Sequence, residues 1–233
     1  MSLLTDIKEA LLHLAFPHIC EGCGTDVLPV SASLCARCLS SLPETNFHFH
    51  PANPVEKIFW GRLPVTYATA IYYFTKESLV QHLMHQFKYK SNKDLGLFLG
   101  RMMGHSISVS NRFCLIDALV PLPLFPAKEK KRGYNQARVL CEGIAEILDK
   151  PVLSDVVVRS LPTETQTKKG RLERWRNMEG SFALAQPAAI DGKHILLVDD
   201  VITTGASLEA CGRELVRAQN GQLSIATLCF SAH

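Results

Sequence analysis

The run His194-Ile195-Leu196-Leu197-Val198-Asp199-Asp200-Val201-Ile202-Thr203-Thr204-Gly205-Ala206-Ser207 concentrates the residue types that could do chemistry in this chain. Its apolar part, Ile195 to Val198, reads as a buried strand. Two adjacent carboxylates end it, a small hydroxyl-rich turn follows, and a helical pattern then runs through Leu208, Cys211 and Leu215. Strand, tight turn and helix start aim free backbone N–H groups and a helix dipole at one point, which makes an anion site. Gly205 permits close backbone approach, and Thr203, Thr204 and Ser207 add hydroxyl donors. Asp199 and Asp200 would repel a phosphate in contact with them, so they belong one step back, accepting hydrogen bonds from a sugar diol or helping to hold Mg²⁺. Phosphate on the turn and diol at the carboxylates together describe a ribose 5-phosphate. The Gly-Lys-Ser/Thr ending of a P-loop is absent.

A second constellation lies near the start. Cys20, Cys23, Cys35 and Cys38 form C-x2-C-x11-C-x2-C. Each pair suits a tight knuckle, and four thiolates around one ion make a closed structural Zn²⁺ site with no position left for chemistry. A redox C-x-x-C is the competing reading; two such pairs so close together favour metal. His13, His18, His48 and His50 lie nearby and are expected on the surface or in packing. Cys114, Cys141, Cys211 and Cys229 fall in apolar patterns and read as buried small hydrophobes.

Two basic segments complete the chemical inventory. Lys128-Glu129-Lys130-Lys131-Arg132-Gly133-Tyr134-Asn135-Gln136 follows a predicted strand and precedes a predicted helix, an arrangement that seats a pyrophosphate. Thr165 to Asn177 carries Lys168, Lys169, Arg171, Arg174 and Arg176 around Trp175. Either run could be a solvated face; their place in the loops of a candidate polyanion-binding fold favours use. Tyr134 and Trp175 are open to two readings, base stacking between cations or ordinary packing.

The elements that must position these residues alternate. Strands are expected over Leu63–Phe74, Ile116–Leu122 and Val152–Val158, around Phe182, and at Leu223–Cys229. Helices are expected around Leu79–Phe87, Leu95–Ile107 and Leu140–Leu148. This order predicts a largely parallel sheet with helices on both faces, with ligands at the carboxyl ends of its strands. The Pro-containing stretch Ser40–Pro54 reads as a linker, giving an N-terminal module over residues 1–53 and a main domain over 54–233. Met1–Phe16 suits a short amphipathic helix and makes a poor signal peptide. The 233 residues are 47% hydrophobic and 20% charged with net charge +3, ordinary for a globular protein, and no apolar run approaches membrane-spanning length. A cytoplasmic location is expected. His82, His85, His105 and His194 show no ligand or triad spacing and are expected to be structural.

V-D-D-V-x-T-T-G-A-S resembles the signature of type I phosphoribosyltransferases, whose ligand is 5-phosphoribosyl 1-pyrophosphate (PRPP). The ordered set of paired cysteine knuckles, F-K-Y-K, V-P-L-P, K-K-R-G-Y-N-Q-A, Q-T with R-W-R-N, and V-D-D-V-I-T-T-G-A-S resembles the ComF family, which includes ComFC of competent bacteria and GntX-like proteins. The resemblance implies a type I phosphoribosyltransferase-like domain, a parallel sheet flanked by helices, with a small N-terminal zinc module. It implies a protein of natural transformation acting on incoming single-stranded DNA, with structural Zn, Mg accompanying PRPP, and a DNA-uptake helicase or recombination proteins as partners. By position, Asp199, Asp200, Thr203, Thr204, Gly205, Ala206 and Ser207 carry over as the PRPP site. Lys131, Arg132, Gly133, Tyr134 and Gln136, with Arg174 and Asn177 from the second segment, carry over as pyrophosphate or DNA contacts. Two alternatives stand beside a DNA-uptake role. One is a metabolic phosphoribosyltransferase with an unidentified acceptor; the other is a non-enzymatic adaptor that senses PRPP.

Overall fold

A computed structural model describes residues 18–29, 32–90, 92–159, 181–217 and 220–231. The expected helix over Met1–Phe16 and the basic stretch Thr165–Asn177, with Arg174, Trp175 and Asn177, lie outside the described residues.

The described elements are, in order, α1 Ala36–Ser40, α2 Pro54–Phe59, β1 Ala68–Tyr73, α3 Leu79–Tyr89, α4 Lys93–Ser108, β2 Ala118–Pro121, α5 Pro126–Arg132, α6 Gln136–Leu148, β3 Val157–Arg159, β4 Phe182–Leu184, β5 His194–Ile202, α7 Ala206–Arg217 and β6 Gln222–Phe230. Strands β1-β6-β5-β2 form one sheet, parallel throughout, and β3 and β4 form a separate antiparallel pair. Strand β5 is central, with Val198 opposite Pro121 on one side and Ala226 on the other. Being covered on both faces, its apolar run needs no polar alternation. Alternate residues divide between two cores: Leu196, Val198 and Leu228 pack on one face with α3, α4 and α6, while Ile195, Leu197 and Ile225 pack on the other with α2 and α7.

Helix α6 has to reach the sheet edge with its N-terminus at the carboxyl ends of β2 and β5. Close packing against α4 sets that placement: a Cβ at Gly100 would lie 2.5 Å from the Leu140 carbonyl oxygen, and one at Gly143 would lie 2.4 Å from that of Leu97. The two backbones touch, so larger residues at these positions would force the helices apart. Asn135 caps α6, accepting from the Ala137 N–H and donating from Nδ2 to the Leu122 carbonyl at 3.0 Å, which ties the helix start to the chain leaving β2.

The stretch Ser40–Pro54 is not a free linker. Leu42, Thr45, Phe47, His48 and Asn53 are buried. Asn53 accepts from the Val55 and Glu56 N–H groups, and its Nδ2 donates to the carbonyls of Phe47, His50 and Ala68. Its polar and proline-rich composition satisfies backbone groups against the β1 edge, where a composition-based reading sees only turn formers. The cysteine segment also joins the main core. Cys20, Leu34, Cys35 and Cys38 cluster with Val80, Leu83 and Met84, and the Glu21 carbonyl accepts from Gln86 Nε2 at 2.7 Å. The strand expected over Val152–Val158 is shorter: Val152 makes an isolated bridge to Leu119, and only Val157–Arg159 pairs with β4. The basic run after β2 contains a short helix, α5, where a loop is expected.

Candidate functional site

At the carboxyl end of β5 the burial changes character. Residues His194–Val198 are buried, Asp199 and Asp200 are partly buried, and Thr203 and Thr204 are exposed. Gly205 turns the chain in the left-handed region at φ +72°, and α7 starts at Ala206. A Cβ on Gly205 would lie 2.7 Å from Ile58 Cγ2, so α2 is pressed against the back of the turn. Arg62 fixes the turn from the same side. Its Nη1 donates to the carbonyls of Ile58 and Thr204 at 3.0 and 3.1 Å, and its Nη2 pairs with buried Glu209, which Arg213 also contacts at 2.6 Å. The turn that the sequence marked for an anion therefore rests on a rigid support contributed by a segment far away in the chain.

A cleft of about 530 Å³ opens beside it, lined by Asp199, Asp200 and Ser207 from the β5–α7 junction and by Leu122, Pro123 and Leu124 from the chain after β2. Arg132, Asn135, Gln136, Lys88 and Arg159 line its other walls. Lys88 Nζ lies 2.8 Å from Asp200 Oδ2. The Asp200 N–H donates to Asp199 Oδ1 at 2.8 Å. Burial and the neighbouring Asp200 charge push the Asp199 carboxyl up to about 8, against the opposing pull of the Asp200 N–H, Lys88 and Arg159.

Two buried donors in this cleft have no acceptor among the described residues. Gln136 accepts from Arg132 through Oε1 at 2.7 Å, but its Nε2 is unpartnered. Arg159 lies with its guanidinium carbon 3.6 Å from the Phe125 ring centroid and 4.9 Å from that of Phe182, and its Nε is unpartnered. Burial lowers the Arg159 pKa while Asp199 opposes the shift. Leaving such donors unsatisfied costs about 1–3 kcal/mol each.

A second concavity, about 820 Å³, adjoins the first through Lys88 and Arg132 and is otherwise lined by Tyr89, Lys128 and Lys131. Tyr89 is 61% exposed, with the Arg132 guanidinium 5.8 Å from its ring centroid. Of the sequence candidates, Asp199, Asp200, Ser207, Arg132 and Gln136 meet in the first cleft, and Lys131 with Arg132 in the second. Gly133 closes α5 in the left-handed region. Of the two readings open for Tyr134, the structure bears out packing: this contact candidate is buried, and its hydroxyl donates to the Phe87 carbonyl. Lys88 and Tyr89 belong to the F-K-Y-K motif noted in the sequence but were given no role there, and Arg159 and Arg62 were not singled out. An aromatic between two lysines at the end of a predicted helix was the available signal for the first two; Arg159 and Arg62 had none.

The cysteine sulfurs all lie within 4.8 Å of one another, and the Cys23 and Cys35 sulfurs are 3.7 Å apart. Tetrahedral zinc with Zn–S near 2.3 Å separates its sulfurs by about 3.8 Å, so this set fits one ion. The Gly22 and Cys35 N–H groups donate to Cys20 Sγ. Burial raises the Cys20 pKa, but backbone N–H donors outweigh it and bring the thiol to about 6, toward the thiolate that a metal requires. His82 Nε2 lies 3.1 Å from the Glu21 carbonyl oxygen, and His194 Nε2 lies 2.8 Å from Ser224 Oγ, both structural placements. No helix among the described residues is long and apolar enough to cross a membrane.

The family profile described as the phosphoribosyl transferase domain matches residues 135–233. The DNA utilization protein YhgH of Salmonella typhimurium is 28% identical over 222 residues, covering 93% of this chain and 92% of that protein. Competence protein F of Haemophilus influenzae is 28% identical over 209 residues, covering 88% and 86%. Competence protein ComFC of Bacillus subtilis is 40% identical over 98 residues, covering 42% and 38%. The adenine phosphoribosyltransferase of Leishmania tarentolae superposes with a TM-score of 0.39 at 10% identity, covering 82% of this chain and 94% of that one.

Proposed function

We infer that this chain, which is similar to DNA utilization and competence proteins over most of its length and matches the phosphoribosyl transferase domain over residues 135–233, is a ComF-type protein whose cleft at Asp199–Ser207 takes PRPP or a related phosphosugar and whose adjoining groove takes single-stranded DNA. One observation carries the reading: the acidic pair and Ser207, at the start of α7, share a cleft with the cations Lys88, Arg132 and Arg159. In this reading the 5-phosphate sits on the N–H groups and hydroxyls of Thr203–Ser207, at the positive end of α7. Asp199 and Asp200 accept from the ribose diol. The same carboxylates are the candidate holders of Mg²⁺, which supplies charge neutralisation for a pyrophosphate when bound. Gln136, Arg132 and Arg159 face the ligand from the opposite wall and stabilise negative charge there.

The groove suits a single strand because Lys128, Lys131 and Arg132 supply phosphate contacts and Tyr89 an exposed ring for a base. The four-cysteine site is read as structural zinc.

Calorimetry with PRPP and Mg²⁺ tests the cleft: wild type binds, and Asp199→Asn with Asp200→Asn abolishes the heat. A wild-type protein indifferent to PRPP and to ribose 5-phosphate overturns it. Fluorescence anisotropy with an oligothymidylate tests the groove. Three phosphate contacts give a slope of log K against log salt of about −2, and a salt-independent affinity removes the phosphate argument. Pyrophosphate release with a panel of nucleobases then separates turnover from binding alone.

A further inference from the structure

We propose that Lys88 couples the two concavities: filling the acidic cleft with a phosphoribosyl ligand releases the Lys88 ammonium from Asp200 and adds it to the cations that hold a polyanion in the groove. The proposal rests on the phosphoribosyl reading of the cleft and names a regulation of that site.

Lys88 lines both spaces. Its charge is committed to Asp200 at 2.8 Å, with side-chain exposures of 20% and 14% for the two partners. A lysine neutralised in this way contributes little to a polyanion alongside it. The backbone beneath Lys88 is fixed. Phe87 is fully buried and its carbonyl accepts the Tyr134 hydroxyl, while the Lys90 N–H bonds back to Gln86. The part left to move is the flexible four-carbon stem, whose ammonium is a compact point charge able to change partners.

Two changes in the filled cleft drive the release. Ribose hydroxyls satisfy the Asp200 acceptors that Lys88 otherwise occupies. A divalent cation held by Asp199 and Asp200 together with the sugar would add repulsion toward the ammonium. Lys88 also lines the groove, together with Lys128, Lys131 and Arg132. A polyanion there draws Lys88 from Asp200 and leaves the carboxylates open, so each ligand strengthens the other by the same factor.

Ribose 5-phosphate is the probe, because it lacks the pyrophosphate that would itself draw on Arg132. Oligothymidylate anisotropy is measured at constant Mg²⁺ with and without it. The wild type is expected to bind the oligonucleotide about fivefold more tightly with the sugar phosphate present. Its salt slope is expected to steepen by about 0.7, the signature of one added cation on a single strand. Lys88→Met loses both responses, whereas Lys131→Met binds the oligonucleotide more weakly but keeps them. Asp200→Asn, without any sugar phosphate, already shows the tight affinity, and Lys88→Met in that background removes the gain. Calorimetric ribose 5-phosphate binding with no change in oligonucleotide affinity, or a Lys88→Met protein that still responds, overturns the coupling. Absence of ribose 5-phosphate binding overturns the cleft assignment; an Asp200→Asn gain that persists in Lys88→Met overturns the coupling by itself.

Discussion

Substituting Gly205 by Ala tests whether α2 really holds the turn. Two costs are separable. An L-residue in the left-handed region, here φ +72°, costs roughly 1–2 kcal/mol. The new methyl would also lie 2.7 Å from Ile58 Cγ2 and 3.2–3.3 Å from the Phe59 ring, which the packed wall can relieve only by shifting. Overpacking of that kind costs about 1–3 kcal/mol. Gly205→Ala should therefore destabilise the chain by about 3 kcal/mol, a fall in Tm of about 6–12 °C at this size. Denaturant unfolding of Gly205→Ala, Ile58→Ala and the double variant forms a cycle. Ile58→Ala opens the space, so Gly205→Ala should cost at least about 1 kcal/mol less in that background, leaving the backbone part. An equal cost in both backgrounds would show that Ile58 does not press on the turn. A change under about 0.5 kcal/mol would remove both arguments.

Four further outcomes are expected. Because the Asp199 carboxyl is raised to about 8 and the bound ligand needs it ionised, ribose 5-phosphate affinity should rise roughly tenfold from pH 7 to 9, with proton release at pH 7; calorimetry giving a flat profile would contradict this. The same raised pKa means Asp199 contributes stability below its ordinary carboxylate range, which is lost as pH climbs through about 8. Elemental analysis should find one zinc per chain, and chelation should lower the melting temperature of the whole chain in a single transition, since the cysteine segment shares its core with α3. Two separate transitions would mean the segment folds independently. Tyr89→Ala should weaken oligothymidylate binding by about 1–3 kcal/mol at unchanged stability, whereas Tyr134→Phe should lower stability by about 1 kcal/mol and leave the oligonucleotide affinity alone. The reverse pattern, read by melting and anisotropy, would restore Tyr134 as the stacking residue.

The sequence by itself determined whatever is built from neighbours in the chain. The β5 strand, its two carboxylates, the small-residue turn and the start of α7 occupy one contiguous run, so hydrophobic patterning and residue type suffice to read them. The paired cysteines are legible for the same reason: each knuckle is local, and four thiols at short spacing have few other uses. The alternation of strands and helices likewise foretold a parallel sheet. Tertiary structure decided what meets across the fold. Lys88 reaches Asp200 from α3, Arg159 enters the cleft from the end of β3, and Arg62 grips the turn from across the molecule. Burial is non-local as well. Tyr134 is open between stacking and packing until its hydroxyl is found on the α3 backbone, and Ser40–Pro54 looks like a linker until its polar groups find the β1 edge. Local residue chemistry fixes what a side chain can do. Which side chain faces the cleft depends on packing between elements far apart in the chain, a property that local spacing does not encode.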